Sequence, residues 1–171
     1  MDAEVLDEEL EIAGEFRSVP KKEHKVVIHL NTGEMIRGYI EANSHKPGPS
    51  LGPSDFDASR VVSVRIPNVN DPLTIQLQDL KAIFVVKSFR GDPKRKGLRF
   101  YSNGPAVGHI WVEIQFKDNE IIEGLVDNSV QHLLADGFWL RPSDSGGNNI
   151  CAYVNKAAIA DYRVLGVRAL Q

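Results

Sequence analysis

The stretch His24-Lys25-Val26-Val27-Ile28-His29-Leu30-Asn31-Thr32-Gly33-Glu34-Met35-Ile36-Arg37-Gly38-Tyr39-Ile40 decides the fold, because a similar stretch follows later in the chain. It aligns without a gap on Ile110-Trp111-Val112-Glu113-Ile114-Gln115-Phe116-Lys117-Asp118-Asn119-Glu120-Ile121-Ile122-Glu123-Gly124-Leu125-Val126. Apolar residues fall in step, as do a glutamate and a glycine: Val26 and Val112, Ile28 and Ile114, Leu30 and Phe116, Glu34 and Glu120, Ile36 and Ile122, Gly38 and Gly124. Such self-similarity indicates two copies of one small structural unit.

Each copy opens with the pattern of a β-hairpin. Val26, Ile28 and Leu30 alternate with their neighbours, which is typical of a half-buried strand. Asn31-Thr32-Gly33 then supplies residues that tolerate positive φ, and the chain returns as a second strand. The glycine inside that strand predicts the sharp bend that a small barrel needs.

The rest of each copy predicts three more strands. Further strands are expected at Val61–Ile66, Leu73–Leu77, Ala82–Val86, Phe138–Leu140, Ile150–Val154 and Ala158–Val164, with one helical turn at Ser129–Leu134. The tails match as Leu80-Lys81-Ala82-Ile83 on Lys156-Ala157-Ala158-Ile159. The sequence therefore predicts a mostly β protein of two tandem five-stranded small barrels, with a short N-terminal helix.

Composition shifts divide the chain into four parts. Residues 1–20 are an acidic segment with a weak helical pattern, 21–87 the first barrel, 88–107 a basic linker and 108–171 the second barrel. Barrels of this size bury only about 60% of their unfolded surface, so we expect the two to pack together. Residues 43–59, rich in Pro, Gly and Ser, form a long loop.

The alternating strand, tight turn and glycine-bearing strand at Val26–Glu41 and Val112–Asp127 resemble the first motif of the Sm-like (Lsm and Hfq type) family. The second motif of that family is echoed only by Ala82-Ile83 and Ala158-Ile159. The resemblance implies an SH3-like or Sm-like barrel in each copy, and it is a fold-level analogy.

A second resemblance is closer in its residues. Leu80-Lys81-Ala82-Ile83-Phe84-Val85-Val86-Lys87 and Gly137-Phe138-Trp139-Leu140-Arg141-Pro142-Ser143-Asp144, followed by Asn148-Asn149, resemble motifs of an uncharacterised bacterial family of unknown function. This resemblance implies a lineage rather than an activity.

Composition limits the ligand classes and the cellular location that we expect for this protein. The net charge of −3 argues against a surface built wholly for nucleic acid or anionic lipid. Cys151 is the only cysteine, so we expect it to be a small buried side chain. Neither a signal peptide nor a membrane-spanning run is recognisable, which favours a cytoplasmic protein without a membrane partner. The second resemblance implies that this cytoplasm is bacterial.

The basic linker is the segment with the strongest chemical character. Six cations and one acid between Lys87 and Arg99 give it a local charge of +5. Arg90, Lys94, Arg95, Lys96 and Arg99 are candidate phosphate contacts for RNA, with neighbouring aromatic residues available to stack on bases. The alternative interpretation, which we favour, is a solvated tether.

The same segment resembles the phosphate-binding motif of PilZ domains. Arg95 and Arg99 have the Arg-x-x-x-Arg spacing of that family, and Asp127 and Ser129 match its Asp/Asn-x-Ser element. The resemblance implies cyclic di-GMP binding, but His132 stands where those domains have a glycine.

The sequence predicts no catalytic residues, no cofactor and no metal site. The five histidines, His24, His29, His45, His109 and His132, lack metal-ligand spacing and are expected at the surface. Trp111 is out of phase with the apolar residues of its strand, and the adjacent Phe138 and Trp139 face opposite sides of theirs, so we expect at least one large aromatic side chain outside its own barrel. Such a side chain packs against the first barrel or forms a partner surface, for which Trp111 and Trp139 are the candidates. The function expected is a non-enzymatic binding or assembly module that recruits a protein partner or self-associates through barrel edges. A regulator that binds RNA or cyclic di-GMP is the alternative.

Overall fold

The structure is a computed structural model that describes residues 22–42, 60–91, 108–144 and 146–167. Its strands are β1 (Lys22–Leu30), β2 (Met35–Ala42), β3 (Val61–Val64), β4 (Leu73–Gln76), β5 (Leu80–Val86), β6 (His109–Phe116), β7 (Ile121–Asp127), β8 (Gly137–Pro142), β9 (Asn149–Asn155) and β10 (Ile159–Val167). One helix, α1 (Val130–Leu134), and two 3-10 turns, Leu77–Asp79 and Lys156–Ala158, complete the described elements. The prediction of a mostly β protein is confirmed. The expected N-terminal helix, the 43–59 loop and most of the linker lie outside the described residues.

Two antiparallel sheets contain all of the described strands. The larger sheet has eight strands in the order β10-β6-β7-β8-β9-β5-β1-β2, and the smaller sheet pairs β3 with β4. A bridge between Tyr39 and Arg65, with two backbone hydrogen bonds of 2.9 Å, links β2 to the end of β3.

We call residues 22–86 the first half and residues 109–167 the second half. The hairpins of the two halves have the same register, since Val26 lies opposite Gly38 and Val112 lies opposite Gly124. The hairpin turns also match, with Leu30 N donating to Glu34 O at 2.9 Å and Phe116 N donating to Glu120 O at 2.8 Å.

The fifth strands of the two halves, β5 and β10, correspond as well, but their residue-by-residue alignment is shifted by three positions from the predicted one. Val85 lies opposite Val26 and Val164 lies opposite Val112, which places Leu80 on Ile159. The predicted match of Ala82 with Ala158 is therefore wrong, because the 3-10 turn before β10 takes up Lys156–Ala158.

The glycines inside β2 and β7 are needed for close approach between strands. A Cβ on Gly38 would overlap the Val64 side chain and the Arg65 carbonyl. A Cβ on Gly124 would overlap Leu140 and the Arg141 carbonyl in the same way. A glycine at this position allows the next strand to cross close to the backbone.

Strand β5 joins the two halves and contributes to two hydrophobic cores. It pairs with β1 of its own half and with β9 of the other half. Ile83 and Val85 lie in the first core with Cys151 and Tyr153 of β9, whereas Ala82, Phe84 and Val86 lie in the second core. The described strands form open sheets rather than two closed barrels, because this pairing makes one continuous sheet of both halves.

None of the helices within the described ranges is long and apolar enough to cross a membrane.

Candidate interaction surfaces

Strand β10 is an exposed edge of the larger sheet. Among the described strands, β6 is its one hydrogen-bonded neighbour. Val164 is 55% exposed and Val167 is 65% exposed. Val85, the residue of β5 that matches Val164, is only 1% exposed. The difference arises because Cys151 of β9 lies opposite Val85. The described residues place no strand at the corresponding side of β10.

Two residues of opposite charge, Asp161 and Arg163, flank Tyr162 on β10. Arg163 Nε donates to Asp161 Oδ2 at 2.7 Å, and Arg163 Nη1 lies 3.5 Å from Glu113 Oε1 on β6. The residues of β5 at the two matching positions are Ala82 and Phe84, which are buried. Charges on an edge strand limit indiscriminate strand addition.

A charge cluster connects the two halves at the start of β5. The ammonium of Lys81, whose side chain is 7% exposed, donates to Asp118 at 2.5 Å and to Glu120. His29 Nδ1 lies 3.8 Å from Glu120 Oε2, and the Lys81 ammonium lies 4.6 Å from the centre of the Phe116 ring. The register shift between His29 and Leu30 marks a bulge at this end of β5.

The electrostatics of the cluster stabilise its charged forms. Burial alone would lower the pKa of Lys81, but the two carboxylates outweigh burial and the pKa is raised. Lys81 holds the pKa of Asp118 below its usual range. His29 and Lys81 together lower the pKa of Glu120 although burial opposes them. Because Lys81 stays charged, the cluster is suited to tying the halves together rather than to nucleophilic chemistry.

A cleft of about 420 Å³ lies where the two halves meet, lined by both 3-10 turns and by Leu133. Arg60 and Asp136 form an ion pair across the halves at 3.3 Å. The buried Asn155 side chain, which also lines the cleft, donates to Leu77 O at 3.0 Å and to Leu80 O at 2.7 Å. The exposed side chains Val130, Leu133 and Leu134 of α1 lie on the second half.

The linker residues predicted to bind nucleic acid fall mostly outside the described part of the chain. Lys94, Arg95, Lys96 and Arg99 lie there. Arg90 is described and exposed, and its backbone N–H donates to Ser88 Oγ at 3.2 Å. Asn148 fixes the preceding residues, accepting from Lys87 N at 2.9 Å and donating to Ser88 O at 2.9 Å. RNA binding by the linker stays a prediction.

Asp127 and Ser129 have structural partners on the second half. The Asp127 carboxylate lies 3.2 Å from His109 Nε2. Ser129 Oγ accepts from His132 N at 3.3 Å, so it caps the first turn of α1. Cyclic di-GMP binding by these two residues together with the arginines of the linker also stays a prediction.

The two tryptophans have different surroundings. Trp139 is half-buried and packs against the first core, at 5.5 Å from the Tyr153 ring, as one of the two interpretations expects. Trp111 donates from Nε1 to Glu123 at 2.8 Å and lies opposite Gly166 of β10. Of the two, Trp111 is the one beside the exposed edge.

The histidine and cysteine predictions have mixed outcomes. His24 is 8% exposed, so the expectation of a surface position is wrong for it. His132 is half-buried, with its ring 4.5 Å from Phe138 and Nε2 3.1 Å from Tyr162 Oη. Burial and the nearby Lys156 lower the pKa of His132.

The buried position of Cys151 is confirmed, and burial raises the pKa of its thiol to about 12.

Sequence reasoning did not identify Lys81, Asp118, Glu120 or Asn155 as a group that joins the halves. The available signal is a lysine in the otherwise apolar run of β5, since a charge at a buried strand position needs a partner.

Comparisons of the chain with curated proteins and with solved structures give no match. One family model matches residues 22–166, which span both hairpins, the β5–β9 joint and nearly all of β10. The chain therefore belongs to a family of unknown function, DUF6982.

Proposed function

We propose that this protein is a non-enzymatic binding and assembly module of the bacterial cytoplasm, which adds a partner strand to the edge of its sheet at β10. The observation that carries the proposal is the contrast between β5 and β10. All seven residues of β5 are buried, whereas β10 exposes Val164, the counterpart of Val85, and also Leu165 and Val167 further along the strand. An exposed strand edge is a template for pairing with another chain.

The internal joint supports the proposal by illustrating what strand addition does in this fold. Strand β9 covers β5, and its Cys151 and Tyr153 complete the first core. In the second core, Tyr162 is only half-buried. A strand added to β10 would bury more apolar surface of that core, at about 25 cal/mol per Å².

The matching strand registers also support a proposal about how the two halves are related. Each half follows the order fifth, first, second, third and fourth strand, with a 3-10 turn before the fifth strand. We propose that the halves are two copies of one Sm-like small-barrel unit, opened where they join. On this account Trp111, beside the edge, belongs to the partner surface.

Site-specific cross-linking tests the proposal. A photoactivatable cross-linker attached to Val164→Cys, in a Cys151→Ser background, reports what lies against β10 in cells. The matched control carries the same label at Ile121→Cys, an exposed position on β7. We expect discrete adducts from position 164 that the control does not form. Adducts from neither position, or the same adducts from both, would contradict β10 as the binding surface.

A further inference from the structure

Resting on the proposed function, we infer that the partner strand at β10 is β10 of a second copy of this chain, paired antiparallel about a twofold axis through Tyr162. The juxtaposition behind this inference is Asp161 and Arg163 on either side of Tyr162 at an edge with exposed apolar side chains. A twofold interface must be self-complementary, and this short run satisfies that condition.

The charges select one register. In an antiparallel pair centred on Tyr162, Asp161 lies opposite Arg163 of the second copy, and Arg163 lies opposite its Asp161. Directly opposite charges of unlike sign stabilise a strand pair. Centring the pair on Asp161 or on Arg163 would instead place like charges opposite each other, which is destabilising.

The same register covers the apolar side chains. Tyr162 then faces Tyr162 of the second copy, and Val164 lies opposite its Ala160. Tyr162 and Val164 match Ile83 and Val85, which are two of the five β5 residues that pair with β9 in the first half. The self-paired edge would therefore cover the positions on β10 that correspond to the internal joint.

A head-to-tail contact, with β10 against β4 of the next copy, fits less well. It would place the Asp161–Arg163 ion pair where the apolar Ala82 and Phe84 lie in a core, and removing an ion pair from water carries a desolvation cost. On the other strand, Thr74 would stand in place of Tyr153 and Pro72 in place of Cys151. Proline cannot donate a hydrogen bond to a strand ladder. The charge pattern therefore favours the symmetric dimer over a repeating chain.

Charge reversal tests the register directly. Every variant carries Glu113→Gln, so that the contact between Glu113 and Arg163 does not confound the result. Asp161→Arg and Arg163→Asp each place like charges opposite across the twofold axis, and we expect each to weaken dimerisation roughly tenfold or more, the change that about 1.4 kcal/mol produces. The double variant restores opposite pairs and is expected to regain dimerisation. Thr74→Arg, on the exposed edge strand β4, is the matched control and should leave it unchanged.

Sedimentation equilibrium over a range of protein concentrations is the readout, with thermal unfolding by circular dichroism to confirm that each variant folds. Failure of the double variant to regain dimerisation, or loss of association in Thr74→Arg, would overturn the twofold register. A protein that stays monomeric but forms adducts with other proteins at position 164 would overturn the second copy as occupant and leave the proposed function standing. A monomer without adducts would overturn both.

Discussion

Val85 and Val164 occupy matching positions in the two halves, each opposite a buried valine of the first strand, yet Val85 is 1% exposed and Val164 is 55% exposed. The cause is a neighbouring strand, because β9 lies against β5 and the described residues place none against β10. Two equivalent strands in one chain thus provide an internal comparison between a covered edge and an open one.

The first prediction concerns the cluster that joins the halves. Lys81→Ala should lower the free energy of unfolding by about 1–3 kcal/mol, because it leaves Asp118 and Glu120 without their cation. The partial exposure of both carboxylates keeps the loss below that of a fully buried pair. Urea unfolding measures the change, with the exposed Lys117→Ala as control. Equal losses in the two variants would contradict a joining role for Lys81.

The second prediction is the pH dependence of the same cluster. The pKa values of Asp118 and Glu120 are lower in the folded state than the usual 3.8 and 4.5, so their contribution is present above those values and is lost as pH falls further. The pKa of Lys81 is raised above 10.5, so its contribution is lost as pH rises beyond that value. Unfolding free energies measured from pH 2 to pH 6 should therefore fall less steeply in acid in Lys81→Ala than in the natural chain. Parallel pH curves for the two proteins would argue against this coupling.

The third prediction concerns the glycines of the second strands. Gly38→Ala and Gly124→Ala should each destabilise the fold by about 2 kcal/mol or more, since the added methyl meets a carbonyl oxygen of the adjacent strand. The matched control is Gly33→Asn, which we expect to cost less than about 1 kcal/mol, because Asn119 takes positive φ at the equivalent turn position. Thermal unfolding of the three variants is the measurement. A larger loss at Gly33 than at Gly38 would be inconsistent with this account.

The fourth prediction uses two residues at matching positions of the halves. Asn155→Ala should cost about 1–3 kcal/mol, because the buried amide donates to two carbonyls of the first half. Gln76, its counterpart at the end of β4, is exposed, so Gln76→Ala should change stability by less than about 0.5 kcal/mol. Chemical unfolding of both variants, followed by tryptophan fluorescence, makes the comparison. Similar losses in the two would mean that Asn155 does not specifically stabilise the joint.

The hairpins of this fold were predictable from the sequence because their signals are local. A period of two residues, a turn with positive φ at Gly33 or Asn119, and one interior glycine specify β1–β2 and β6–β7. For the fifth strands, the sequence alignment matches Leu80 with Lys156, three residues before its structural counterpart Ile159. The alignment relies on the shared Ala-Ile pairs, whereas the 3-10 turns before both strands set the register.

The joint between the halves could not be predicted in this way. The pairing of β5 with β9 connects residues about 70 positions apart in the chain, and periodicity within a strand does not identify its neighbours. From the sequence we expect binding through barrel edges and, separately, a partner surface at Trp111 or Trp139, and both expectations stay predictions. Which of the equivalent edges is covered depends on that joint.

The most direct test of the central claim is hydrogen exchange of the backbone amides of Ile159–Val167 at low and high protein concentration. The account predicts that protection of β10 rises with concentration, because a second copy then covers the edge, while protection of β4 stays the same. Exchange at β10 that is as fast at high concentration as at low concentration would contradict self-association through this strand.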